Sequence, residues 1–144
     1  MIHSIYNEDF SVFLWGHVNI IIFALLLTNI NMNHYETVFI LNPVLSDTQI
    51  AETVKKFEDF LIKNGATMVA KENWGLKKLA YAIQHKKSGF YHLFEFTGPG
   101  EILTPYEQEF SRDERIMRFL TVKLDKHAIA WAEKRRTRLK TAKA

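Results

Sequence analysis

Gly89-Phe90-Tyr91-His92-Leu93-Phe94-Glu95-Phe96 alternates cleanly along its length. Successive side chains of a strand point to opposite faces. Phe90, His92, Phe94 and Phe96 therefore share one face, and Tyr91, Leu93 and Glu95 share the other. A strand with three phenylalanines on one side needs an apolar cover, so its sequence neighbours decide the architecture.

Upstream, Lys86-Lys87-Ser88-Gly89 reads as a turn. Before it, Thr67 to Trp74 reads as a strand that continues through, or bends near, Gly75 into Leu79-Ala80-Tyr81-Ala82-Ile83. Tyr35 to Leu41 is β-branched and aromatic, which favours a strand. Asn42-Pro43 ends it, because proline has no N–H to give a ladder. Between these strands, Ser46 and Gln49 have the spacing of a capping box. Ile50, Val54, Phe57 and Leu61 then recur at helical intervals with Phe60 beside them, while Lys55, Lys56, Glu58 and Asp59 fall mostly opposite. Asn64-Gly65 supplies a left-handed stop. Downstream, Gly98-Pro99-Gly100 breaks the aromatic strand, and a second helix over roughly 100–112 offers Ile102, Leu103, Tyr106 and Phe110. Pro105 fits either as the first position after a Thr104 cap or in a first turn that tolerates its ring. Ile116 to Leu124 reads as a last strand.

Strand, helix, strand, strand, helix, strand is the α+β ferredoxin-like βαββαβ split sandwich, over residues 32–124. Its four-stranded antiparallel sheet has both helices on one face. The other face is bare unless something covers it, and it is there, and in the edge loops, that a function is expected.

The 144 residues contain no cysteine, which excludes disulfides, thiolate metal sites and a cysteine nucleophile. Hydrophobic residues at 47% and charged residues at 24% are ordinary for a globular chain, against disorder or low complexity. Nineteen Lys and Arg against sixteen Asp and Glu give a formal charge of +3. That charge is unevenly spread: residues 1–31 carry −2, residues 32–122 carry −1, and residues 123–144 carry +6. The basic balance belongs to the end of the chain and concerns partners rather than fold.

Residues 1–31 contain the apolar run Val18 to Leu27. A signal peptide wants a cationic start, but Glu8 and Asp9 stand there, and Thr28-Asn29-Ile30-Asn31 is no cleavage site. A membrane span is marginal, with His17 and Asn19 interrupting it. A third reading is upstream sequence before a true start at Met32; a soluble extension is the fourth. The failed flanks favour the start at Met32. Residues 125–144 are rich in helix formers but offer only Ile129, Trp131 and Leu139 for burial. Alone, so short a helix is marginal, so this basic tail is expected to order on a partner.

Catalytic motifs are missing. The six histidines have no ligand spacing, and there is no nucleophile elbow or phosphate-cradling glycine loop. His92 on a strand reads as a packed histidine rather than a base. Neither a metal nor a cofactor is expected, and an enzyme is not the favoured class. Basic residues do cluster: Lys77 and Lys78 at the bend, Lys86 and Lys87 in the turn, and Arg112, Arg115 and Arg118 around the second helix and last strand. Tyr35, Trp74, Tyr81 and Tyr91 interleave with them. Cations neutralise phosphates and rings stack on unpaired bases, so the set points to RNA, although Lys86-Lys87 also suits a wet turn and Tyr81 a core. Gly89 to Phe96 only weakly resembles the third strand of an RNA-recognition motif, because Tyr91 fills its small position and His92 its ring position.

From Met32 the chain resembles the bacterial small-subunit ribosomal protein six family. Met32-Asn-His-Tyr-Glu-Thr is similar to that family's opening, and Asn42-Pro43 to the end of its first strand. Trp74-Gly-Leu-Lys-Lys-Leu-Ala-Tyr-Ala-Ile83 resembles its most specific signature, departing at Ala82, where many members have proline. The resemblance implies a cytoplasmic, non-catalytic ribosomal protein. It implies binding to the central domain of the small-subunit ribosomal RNA together with small-subunit ribosomal protein eighteen, in a heterodimer against which the tail becomes ordered. Carried onto this chain, Tyr35, Lys77, Lys78, Tyr81, Lys86 and Lys87 become RNA or partner candidates, and Trp131, Arg135, Arg136 and Arg138 become tail candidates. The alternatives are a small ferredoxin-like enzyme or ligand-binding regulator, which needs a pocket with converging polar groups, and a membrane-anchored domain. For the start at Met32, intact-mass measurement of the native protein should give about 13 kDa; 16.9 kDa would contradict it.

Overall fold

Ser46 caps the first helix as its spacing requires: its Oγ accepts the Gln49 N–H, and the Gln49 side chain accepts the Ser46 N–H. The computed structural model describes residues 32–143, so the expectation for residues 1–31 lies outside the described residues. In order, the elements are β1 (Met32–Leu41), α1 (Asp47–Lys63), β2 (Thr67–Ile83), β3 (Lys86–Pro99), a 3-10 turn (Gly100–Ile102), α2 (Leu103–Arg112), β4 (Ile116–Lys123) and α3 (Lys126–Lys143). The sheet order is β2-β3-β1-β4, and every neighbouring pair is antiparallel. This is the expected split βαββαβ arrangement. Pro105 lies in the first turn of α2, where backbone N–H groups lack intrahelical partners and a missing one costs little.

The alternation read from the sequence sets the core. Phe94 and Phe96 of β3 stand opposite Thr37 and Tyr35 of β1, and His92 stands opposite Phe39. α1 contributes Ile50, Phe57 and Leu61; α2 contributes Tyr106 and Phe110. The Phe57 and Phe110 rings stack at 4.0 Å, joining the two helices. Each fully buried ring or leucine contributes about 1.5–3 kcal/mol from apolar burial.

The turn between β2 and β3 differs from the sequence reading. Its residues are Gln84 and His85, with φ of 49° and 60°, and Lys86 to Gly89 belong to β3. Two consecutive positive φ values match the strand twist of a two-residue hairpin; His85 is of a type enriched in that region, whereas Gln84 is not. Gly89 serves a different purpose. A Cβ there would stand 2.4 Å from Ile40 Cγ2 and 3.1 Å from the Leu41 carbonyl oxygen. That close approach lets the β2–β3 ribbon continue past Leu41 while Leu79 packs with Ile40 and Met117 in a second small core. Gly75 has φ +72° where the pairing register shifts, and its N–H donates to Asn73 Oδ1 at 2.8 Å, so the bend near Gly75 is real.

The far face of the sheet is partly covered. α3 brings Ala132 to burial, and its Arg135 and Arg136 reach carboxylates of the strands. The sequence suggested little structure for this segment alone, because its apolar content is low. The helix found here is held by charges on the sheet, which only the folded topology brings into reach. No helix among the described residues is long and apolar enough to cross a membrane.

Replacing Gly89 by alanine should cost about 1–3 kcal/mol through overpacking against Ile40. Urea unfolding checks this; an unchanged midpoint would show that the ribbon root is not tightly packed.

Candidate nucleic-acid and partner interface

The ribbon gathers most of the lysines singled out in the sequence. Lys77 and Lys78 pair with Gly89 and Ser88, and Lys86 pairs with Ile83 next to the turn. Lys77, Lys78 and Lys87 are exposed and Lys86 is half-buried. None of the four forms an ion pair among the described residues. The curl of the ribbon over Ile40 brings Tyr81 to Arg118 of β4. Tyr81 is 60% exposed, the Arg118 guanidinium lies 5.5 Å from its ring centroid, and Arg118 Nη1 donates to its hydroxyl. Residues far apart in sequence thus make one cationic end with an open aromatic face. Rings of this kind stack on bases, and ammonium and guanidinium groups neutralise phosphates.

Other candidates are placed differently. Tyr35 is 3% exposed and packs on Phe96 at 5.6 Å, so it is a core residue with no free surface for a ligand. The sequence put it among the surface aromatics because strand periodicity alone does not say which face is covered. Trp74 stacks on Tyr91 at 6.4 Å and donates to Glu72 at 2.8 Å. Arg112 is exposed and its one ion pair among the described residues is with Glu109 at 3.6 Å.

Arg115 is occupied by its neighbour. Its Nε and Nη2 donate to both oxygens of Asp113 at 2.8 and 2.7 Å, and Lys56 of α1 reaches the same carboxylate at 3.0 Å. The Arg115 hydrogen bonds, with Lys56 adding to them, hold the Asp113 carboxyl well below the usual carboxylate range, and Asp113 in turn raises Arg115. This cluster ties α1 to the α2–β4 turn and is structural.

On the tail, Trp131 is 63% exposed under the Arg135 guanidinium, 5.5 Å from its ring centroid, and Arg138 is exposed. Arg135 donates to Glu72 at 3.0 Å and approaches Glu36 at 3.8 Å; Arg136 pairs with Glu95. Glu95 has no solvent exposure and also meets His34 Nε2 at 2.8 Å. Burial pushes Glu36 above its ordinary value, Arg135 opposes that, and Glu95 and Glu72 reinforce it. The sequence reading missed these carboxylates as tail partners. Period-two counting puts Glu36 and Glu95 on the face opposite Phe39 and Phe94, but only the topology sets them side by side. It also missed Leu120 and Val122 of β4, apolar side chains left exposed at a sheet edge.

Between α1 and β2 runs a groove of about 500 Å³ with an apolar floor of Ile50, Val54, Phe90 and Phe94. His92 lines it, burial lowers its pKa and favours the neutral ring, and Nε2 has no hydrogen-bond partner. Lys71, also at the groove, donates to Glu58 at 2.8 and 2.9 Å. No group of three or more metal-ligating side chains converges among the described residues.

A family model described as Ribosomal protein S6 matches residues 34–123. The chain belongs to that family. It is similar to the small ribosomal subunit protein bS6 of Flavobacterium psychrophilum, at 75% identity over 113 residues that cover 78% of this chain and all of the relative. The protein of the same name from Bacteroides thetaiotaomicron is 56% identical over 106 residues, 74% of this chain and 93% of its own. The crystal structure of 30S ribosomal protein S6 from Thermotoga maritima superimposes with a TM-score of 0.64 at 21% identity, covering 76% of this chain and 99% of that one, which supports the shared fold. The family is one of small-subunit ribosomal structural proteins and not an enzyme family.

Because Asp113 titrates below its ordinary value when folded, it stabilises the fold above about pH 4, and that contribution is lost as pH falls toward the folded value. Asp113→Asn should cost about 1–2 kcal/mol at neutral pH, a figure limited by the partial exposure of both cations. It should also flatten the acid limb of stability. Urea unfolding across pH checks this; parallel limbs in both proteins would contradict it.

Proposed function

We infer that this protein binds small-subunit ribosomal RNA, in the central domain, together with small-subunit ribosomal protein eighteen, and that it catalyses no reaction. The observation that carries this is the ribbon end. Four lysines without carboxylate partners among the described residues share a two-stranded arm with the exposed Tyr81, whose ring Arg118 of β4 meets. Such an arm fits the backbone and unstacked bases of an RNA junction, which proteins read by shape, stacking and phosphate contact. Family membership supports the RNA class.

Leu120 and Val122 on the outer strand, with Trp131 nearby in the chain, offer the partner protein an apolar edge. The basic tail exchanges its contact with the sheet for one in the ternary complex. RNA and partner each preorder the other's site, so binding is weak alone and tight together. The groove beside His92 does not favour the enzyme reading, because its lysine is already paired to Glu58 and its histidine nitrogen is shielded from solvent.

Affinity for a central-domain RNA fragment, measured with and without protein eighteen, should differ at least tenfold and fall steeply with added salt. Lys77→Gln with Lys78→Gln should weaken it roughly tenfold. Equal affinities with and without the partner, or binding indifferent to salt, would contradict the reading.

A further inference from the structure

α3 is docked in an unusual way for a helix on a sheet. It buries Ala132 and leaves Trp131 largely exposed, so apolar contact gives it little hold. What it has are two adjacent arginines, each met by glutamates. Arg135 reaches Glu72 on β2 and Glu36 on β1, and Arg136 reaches Glu95 on β3. Three neighbouring strands thus present carboxylates to one turn of the tail. The fit is incomplete, since Arg135 Nε is buried without an acceptor. Carboxylate and phosphate oxygens accept from the same guanidinium fork.

We propose that the far face carrying Glu36, Glu72 and Glu95 is an internal docking site that imitates a polyphosphate backbone and holds the basic tail closed until a nucleic-acid phosphate chain takes its arginines. This rests on the RNA-binding reading above. In the closed form the tail contributes little to RNA encounter, and the ribbon lysines make the first contact. Once a phosphate backbone is near, Arg135 exchanges a carboxylate pair for a phosphate pair, α3 lifts, and the far face beneath it becomes available to a protein partner. The exchange swaps like for like, which suits a reversible latch. It also keeps a strongly cationic tail from gripping unrelated polyanions.

The test uses the full chain and single-stranded polyuridylate as the probe. Glu36 and Glu72 are partly exposed, with side chains 20% and 18% accessible, so Glu36→Gln with Glu72→Gln is expected to fold. The control is Glu101→Gln with Glu114→Gln, exposed residues that make the same charge change away from the tail. Hydrogen exchange of the tail amides, without RNA, should quicken about tenfold in the first variant and stay unchanged in the control. Polyuridylate affinity should rise about threefold or more beyond the control, and the logarithmic salt slope should steepen by about 0.7, one extra cation on a single strand. Adding Arg135→Gln should abolish that gain while costing the native chain little. Unchanged tail exchange would overturn the docking site. Faster exchange with no gain over the control would overturn the exchange for phosphate. Faster exchange with no polyuridylate binding by any form would overturn the RNA reading and the release step, and leave the docking site standing.

Discussion

Phe39, at the centre of β1, lies 5.1 Å from the Phe94 ring, 5.2 Å from Phe110 and 6.1 Å from Phe57, centroid to centroid. One side chain therefore meets the neighbouring strand and the helices α1 and α2. The larger of the two cores lies on this face of the sheet, and filling it with these rings constrains where the other elements sit. α1 and α2 have to sit on the Phe39 face, so polar residues fall on the opposite face and at the strand ends. The register that buries Phe39 also sets Glu36 beside Glu95, and a slip of one residue would turn both sets over.

Much of this was legible in the residues. The capping box, the spacing from Ile50 to Leu61 and the alternation from Phe90 to Phe96 gave the elements and their order, because each rests on local geometry that survives folding. The turn was misplaced because glycine and lysine near Gly89 looked like turn chemistry. Gly89 is small for the sake of Ile40, a contact between strands that sequence spacing does not reveal. Tyr35 looked like a binding aromatic for a similar reason: a ring on a strand is core or surface according to what covers its face.

The candidate site was legible as a set of charges and not as an arrangement. Lys77, Lys78, Lys86 and Lys87 lie on one two-stranded ribbon, β2 with β3. Arg115 was not separable from them in the sequence, although Asp113, two residues earlier, consumes it. Arg135 and Arg136 read as free tail cations, and the structure pairs them with glutamates from three strands. The structure divides the cations into those already neutralised within the fold and those left without an ion pair on the ribbon among the described residues, and this division is what the proposed RNA contact rests on.

The most direct measurement is protein–RNA cross-linking within purified small ribosomal subunits from cells expressing this protein, with the adducts mapped by mass spectrometry. The account predicts that the protein sediments with the subunits and that nucleotide adducts fall on the segment from Lys77 to Lys87. Absence from the particles, or adducts confined to the outer surface of α1 and α2, would contradict it.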